Sequence, residues 1–203
     1  MAQLHIPEWI ESDELILRPF TLDDADQVYY ALFSDPAVTE FLPIPTHPNV
    51  DFTRLYLNAC IASWEGRGPN RTWGMFAKAD GKLCASIELN IFLPRVEFGV
   101  AISQRPGYRR RRAGLTMLKK LIDWLMAQPE VYRLYACCDP EGKAAVTMEK
   151  LGFAFETRLA NWEPRPNRNL SAADALVFVK TKAPIQRTAV TEATESVVTP
   201  IAM

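Results

Sequence analysis

Between residues 95 and 138 the chain strings together a period-two strand, a Pro-Gly break, four consecutive arginines, a long amphipathic helix and a second strand. No other stretch restricts the fold as much. Val96, Phe98, Val100 and Ile102 alternate with Glu97, Gly99 and Ala101, the pattern of a strand with two different faces. Pro106-Gly107 ends it. Leu115, Leu118, Leu121, Ile122, Leu125 and Met126 then recur at helical spacing, and 131–138 read as a strand again. A strand, a helix and a strand in that order predict a parallel pair joined by a right-handed crossover. Arg109, Arg110, Arg111 and Arg112 fall where the helix begins. A helix N-terminus already carries partial positive charge, so each cation there costs roughly 0.3–1 kcal/mol. The run fits a polyanion held at the same free N–H groups, or a solvated basic stretch, and local physics leaves both open.

Around this unit the remaining pattern is mostly antiparallel. Residues 14–18 read as a first strand. Thr21 caps a helix carrying Leu22, Ala25, Val28, Tyr29, Leu32 and Phe33, with Asp23, Asp24 and Asp26 in its favourable first turns. The prolines of 41–48 exclude helix and central strand, leaving an apolar loop. A second helix follows, with Phe52, Leu55, Tyr56, Ala59, Cys60, Ser63 and Trp64 as its expected inner face. Strands at 72–79 and 82–90 flank an Asp80-Gly81 hairpin turn. Asp139-Pro140 reads as the start of a short helix ending at Gly152, and strands at 153–162 and 173–180 complete the set, separated by the 164–169 loop. The order β-α-α-β-β-β-α-β-α-β-β predicts an α/β fold with a mixed, mostly antiparallel sheet and helices on both faces. Residues 1–13 are expected to be an extension, 14–180 the domain, and 181–203, aperiodic and rich in Thr, Ala, Val and Ser, a disordered tail.

Composition narrows the function. The 203 residues are 48% apolar and 23% charged, with a net charge of −1, so nothing global favours nucleic acid or an anionic membrane. Any nucleic-acid role would rest on the arginines alone, and no aromatics interleave with them. No apolar run is long enough to span a bilayer, and the N-terminus lacks a signal-peptide pattern. Cys60, Cys84, Cys137 and Cys138 fit no zinc spacing and read as reduced packing thiols, which predicts a cytoplasmic protein without a metal site.

The element order, together with Leu17-Arg18-Pro19-Phe20, the 96–102 strand, Leu118-Lys119-Lys120-Leu121-Ile122-Asp123-Trp124 and Glu149-Lys150-Leu151-Gly152-Phe153, resembles the GNAT acetyltransferase superfamily. Within it the resemblance is to the branch that includes the ribosomal-protein alanine N-acetyltransferases, and it covers about 14–180. It implies acetyl-CoA as co-substrate, a small-molecule or peptide amine as acceptor, and direct attack in a ternary complex. The family's pyrophosphate motif, Q/R-x-x-G-x-G/A, falls on Arg109-Arg110-Arg111-Arg112-Ala113-Gly114. These residues, with Leu115, are the implied cofactor contacts, and the backbone of Val100, Ala101 and Ile102 the implied pantetheine and oxyanion donors. Arg112 stands where the family has its middle glycine. Its side chain could narrow the cradle, swing away, or bond the phosphates itself. A family Asn, Ser and general-acid Tyr correspond to positions near Glu141, Ala144 and Met148, so none is present there. The alternative these departures raise is a catalytically degenerate binding or regulatory protein. A homodimer is compatible with the sequence, which does not fix oligomeric state.

Acetyl transfer needs an amine that loses a proton, a stabilised thioester carbonyl and a departing thiolate. Glu97, alternating with apolar residues on the central strand, is the first candidate base, because desolvation raises a carboxylate pKa toward a useful value. Glu88 on the preceding strand is its rival. His47 in the proline loop is a weaker candidate, His5 is discounted, and Cys137 or Cys138 as a nucleophile has no patterned histidine. Trp162, Arg165 and Arg168 are expected at the rim of an acceptor site.

Overall fold

The computed structural model describes residues 4–183. The strands are β1 (Ile10–Glu11), β2 (Leu15–Pro19), β3 (Asn70–Ala77), β4 (Leu83–Phe92), β5 (Arg95–Ile102), β6 (Arg133–Cys138), β7 (Ala154–Arg165) and β8 (Leu170–Thr181). The α-helices are α1 (Ala25–Val28), α2 (Pro36–Thr39), α3 (Val50–Ala62), α4 (Arg111–Ala127) and α5 (Ala144–Lys150). The strands form one sheet in the order β1-β2-β3-β4-β5-β6-β8-β7. Every neighbouring pair is antiparallel except β5–β6, which is the crossover pair expected from the sequence. None of the described helices is long and apolar enough to cross a membrane.

Alternation along the central strands sorts side chains onto two faces. Met75, Ala85, Ile87, Leu89, Val96, Phe98, Leu134 and Ala136 pack with Met117, Leu118, Leu121, Ile122 and Leu125 of α4 and Met148 of α5. The opposite face carries Phe20, Phe76 and Leu83 beneath Val28, Leu32, Phe33 and Leu57. Arg18 fastens the chain as it leaves β2. Its guanidinium is bidentate on Asp24 at 2.7 and 2.8 Å, and lies 3.9 Å above the Phe76 ring. Asp24 also accepts from the Thr21 amide at 2.8 Å, which fixes the helix start predicted at Thr21.

Several local expectations need correction. The helix after Thr21 is not regular: a 3-10 turn (Leu22–Asp24) leads into α1 and then a π turn (Tyr29–Phe33). That wider turn lets the consecutive residues Ala31, Leu32 and Phe33 all be buried. On α3 the buried positions are Thr53, Leu57 and Cys60, whereas Leu55 and Phe52 face outward. The helix runs Val50–Ala62 from the Asn49 cap, which accepts from the Phe52 amide at 2.9 Å. Asp139 does not cap α5. Its carboxylate accepts from the Glu141 amide and from the buried Arg165, and α5 starts five residues later. β7 and β8 extend toward each other and leave only the Pro166–Arg168 turn and Asn169 between them. β8 therefore ends at Thr181, and β1 lies inside the stretch expected to be an extension. The tail expected to be disordered lies, from 184 onward, outside the described residues, as do residues 1–3.

Candidate active site

β5 and β6 pair over only Arg95↔Arg133, Val96↔Leu134 and Glu97↔Tyr135. Beyond Glu97, β5 stays paired with β4 to Ile102, while β6 stays paired with β8 to Cys138. The sheet therefore opens as a V between its two central strands. A strand side left unpaired inside a fold presents N–H and C=O groups that need partners. The Ser103 amide bonds Cys84 O at 2.9 Å, so by alternation the odd-numbered residues of β5 face β4. Val100 and Ile102 then aim their backbone into the V, where the Ile102 carbonyl accepts from the Gln104 side chain at 2.9 Å. Ala101, expected among the donors, belongs to the β4 ladder.

On the α4 side of the V lies a cleft of about 420 Å³. Its walls are apolar inside, from Met75, Ala85, Ile102, Leu115 and Leu118. Its rim is cationic, from Arg109, Arg110, Arg111, Lys143 and Lys150. Gly114 lines it where the first turn of α4 comes closest. A Cβ built there would meet only Met75 Sδ, at 3.9 Å, so the methyl would take up cleft space without a clash. The first N–H groups of a helix have no intrahelical partner. Those of Arg111, Arg112 and Ala113 precede the Gly114 amide, which bonds Arg110 O at 2.6 Å. Arg110 is held back from the opening by Asp80, at 2.9 Å, and by Gly107 O, at 2.7 Å. Arg112 is exposed and stands outside the lining, so the guanidinium run does not plug the cleft.

The expected residues Ile102, Arg109, Arg110, Arg111, Gly114 and Leu115 are thus brought together, with Val100 on the strand below and Ala113 against the core. Lys143, Thr147 and Lys150 were missed. They recur at i, i+4 and i+7 along α5, a polar stripe that the sequence does display. Met148, at a position corresponding to the family's acid, is buried in the core.

The carboxylates occupy the other face. Glu97 is half-buried, 3.4 Å from Asn90 Nδ2 and 3.4 Å from the Tyr135 hydroxyl. Burial, with the charge of Glu163 adding to it, raises its carboxyl above the usual range against the pull of Asn90 and Tyr135. Glu88 accepts from Asn70 at 3.2 Å and is also raised, first by burial and then by Glu97. His47 is no site residue. It is buried among Phe33, Phe52 and Tyr56, and its Nδ1 lies 2.9 Å from Thr53 Oγ1. Burial pushes the Cys137 and Cys138 thiols up to about 11 and about 12, which leaves them poor nucleophiles.

The expected acceptor rim divides. Trp162 is exposed. Arg165 is not at the surface: it is 1% exposed, bonded to Asp139 at 2.9 Å and to Glu163 at 2.8 Å. Arg168 pairs with Glu141 at 2.7 Å. Asn167, which the sequence did not single out, accepts from the Thr46 amide at 2.8 Å and donates to Thr39 O and Ile44 O at 2.7 and 2.9 Å. It ties the β7–β8 turn to the proline loop.

No curated protein sequence matches the chain. Among solved structures, the microcin C7 self-immunity acetyltransferase MccE, in complex with acetyl-CoA and AMP, superposes with a TM-score of 0.73 at 17% identity, covering 87% of this chain and 98% of that one. The ribosomal-protein-S5-alanine acetyltransferase of Vibrio fischeri gives 0.70 at 15% identity, over 85% and 96%. RimL, a ribosomal alpha-N-protein acetyltransferase in complex with coenzyme A, gives 0.71 at 15% identity, over 86% and 98%. At these identities the likeness establishes the fold. The sequence model of the acetyltransferase (GNAT) domain matches residues 14–154, and on that match the chain belongs to the GNAT acetyltransferase family.

Proposed function

We propose that the protein is an acetyl-CoA-dependent N-acetyltransferase acting on an amine by direct attack in a ternary complex. The observation that carries this reading is the open cleft, cationic at its mouth and apolar within, that leads to the unpaired stretch of β5. The diphosphate of the co-substrate meets the first amides of α4, with Arg109, Arg111, Lys143 and Lys150 supplying charge. The pantetheine arm runs along β5 and bonds the backbone of Val100 and Ile102, which brings the thioester to the V. The acetyl-CoA held by MccE supports this assignment.

At the V the amine arrives from the Glu97 face. Its nitrogen attacks the thioester carbonyl carbon, and the C–S bond breaks. The developing oxyanion is met by a backbone N–H of β5. Glu97 takes the amine proton, helped by a carboxylate that burial has made more basic. Coenzyme A leaves as the thiolate. The open cleft, with Arg112 turned to solvent, favours this reading over a degenerate binding protein.

Calorimetry with coenzyme A and acetyl-CoA tests the co-substrate, and thiol release across an amine panel tests turnover. Micromolar binding with amine-dependent release is expected. Absence of binding would end the proposal.

A further inference from the structure

A second cavity, of about 230 Å³, lies on the Glu97 face of the sheet, between the C-terminal part of α3, the Ser63–Arg67 turn and strands β3 and β4. Tyr56, Cys60, Ser63, Asn70 and Thr72 wall it, and Glu88 supplies its only carboxylate. Its volume falls below the ~300 Å³ at which pockets for drug-sized ligands begin, and holds only about seven waters. It therefore suits the end of a small molecule rather than a folded or peptide segment. Of the cations here, Arg67 itself lines the cavity, and both it and Arg71 are already engaged. Arg67 pairs with Glu65, and Arg71 donates to Ser63 O, Gly68 O and Asn70 O.

The β4–β5 ladder sets Glu88, in the cavity wall, beside the strand that borders the V. Glu88 pairs with Gly99 across the β4–β5 ladder, and Asn90 with Glu97. The two glutamates are therefore diagonal neighbours on one face, with Cβ atoms somewhat closer than about 7–8 Å. Gly99 lies between them, exposed in the middle of the central strand. A Cβ built on Gly99 would meet only Glu88 O at 3.8 Å and Glu88 Cβ at 4.0 Å, so the space above it is open. A glycine inside a strand marks a place where something approaches the backbone closely. A four-carbon spacer between two ammonium groups bridges this separation.

We propose that the acceptor is a small aliphatic diamine, whose reacting nitrogen sits over Gly99 beside Glu97 and whose far ammonium is held by Glu88 in the second cavity. This rests on the acetyl-transfer reading above. The reacting amine forms the C–N bond as the C–S bond breaks, its proton passes to Glu97, and the thiolate leaves on coenzyme A. Glu88 exchanges no proton in this step and sets specificity.

The test compares 1,4-diaminobutane with butylamine, by thiol release at saturating acetyl-CoA. The expected kcat/KM ratio favours the diamine by at least about tenfold, the worth of one charged hydrogen bond. Glu88→Gln brings that ratio close to one, and Gly99→Val abolishes diamine turnover while coenzyme A binding, measured by calorimetry, persists. Direct calorimetry of 1,4-diaminobutane on the cofactor-free protein is expected to show binding that Glu88→Gln weakens. Equal rates on the two amines, a ratio unmoved by Glu88→Gln, or preference for a peptide N-terminus over the diamine would overturn the proposal. Loss of coenzyme A binding in the unaltered protein would instead sink the transferase reading, and the calorimetric titration with diamine would still report on the cavity.

Discussion

Gly114→Ala separates two quantities that most substitutions move together. Gly114 is the fourth residue of α4, and its amide is already spent on Arg110 O. A methyl group there meets Met75 Sδ at ordinary contact distance. Nothing in the folded protein therefore opposes alanine, and the helix gains about 0.5–1 kcal/mol in propensity. For a domain of this size that raises Tm by about 2–4 °C per kcal/mol, measured without ligand. On the function proposed above, the same methyl occupies the cleft where the diphosphate approaches the amides of Arg111, Arg112 and Ala113. Pushing the phosphates off one charge-assisted bond loses about 1.5–3 kcal/mol, or roughly 10–100-fold in affinity. The expected variant is more stable and binds coenzyme A more weakly, read by thermal unfolding and calorimetry on one preparation. If affinity is unchanged, the diphosphate does not approach this turn. If stability falls, the space above Gly114 is not what the structure indicates.

Arg112→Gly is expected to change coenzyme A affinity by less than about twofold, since the side chain is outside the cleft, while α4 loses up to about 1 kcal/mol in propensity. Glu97→Gln is expected to lower kcat by about 10²-fold or more while coenzyme A still binds. The same substitution has a signed effect on stability. Burial raises the folded-state pKa of Glu97, so the wild-type contribution is complete below the unfolded carboxyl value and lost as pH rises through the raised one. The Gln variant should therefore be the more stable protein at neutral pH, with the gap closing in acid, as urea titrations at several pH values would reveal. Arg165→Met leaves the buried Asp139 with only the longer cation contact, to Arg168 at 3.7 Å, and is expected to cost up to about 3–5 kcal/mol, part of which Asp139→Asn in the same chain restores.

What could be read in the sequence was whatever depends on local period and chain order. The strand at 95–102, the helix after it and the parallel crossover all follow from spacing, and they place Gly114, Leu115 and the arginines without further information. The corrected elements are those decided by distant partners. Asp139-Pro140 has the local form of a helix cap, but Arg165, twenty-six positions away, takes the carboxylate. The inner face of α3 was misjudged because Leu55 and Phe52 are apolar yet exposed, while the buried Thr53 carries a hydroxyl that bonds His47. Arg165 has the composition of a rim residue and the environment of a core one. Asn167 has no signature at all, because its partners, Thr39 at the end of α2 and Ile44 and Thr46 of the proline loop, are far away in the chain.

Arg112 was more legible than its chemistry suggested. On a helix starting at Arg111, positions 111, 114, 115 and 118 share one stripe, and all four line the cleft. Positions 112, 116, 119 and 123 share another, and all four are exposed. The residue that replaces the family's middle glycine therefore turns away from the cleft because of its angular position. What the substitution removes is the freedom of the backbone at one residue, and what it adds is a cation on the solvent side of the first turn of α4. The first is tolerable where φ is already helical. The second is favourable toward an anion even across solvent, though it weakens with salt. An arginine at this point of the motif is thus compatible with a working phosphate site, and Gly114, on the inner stripe, is the position where a side chain would not be.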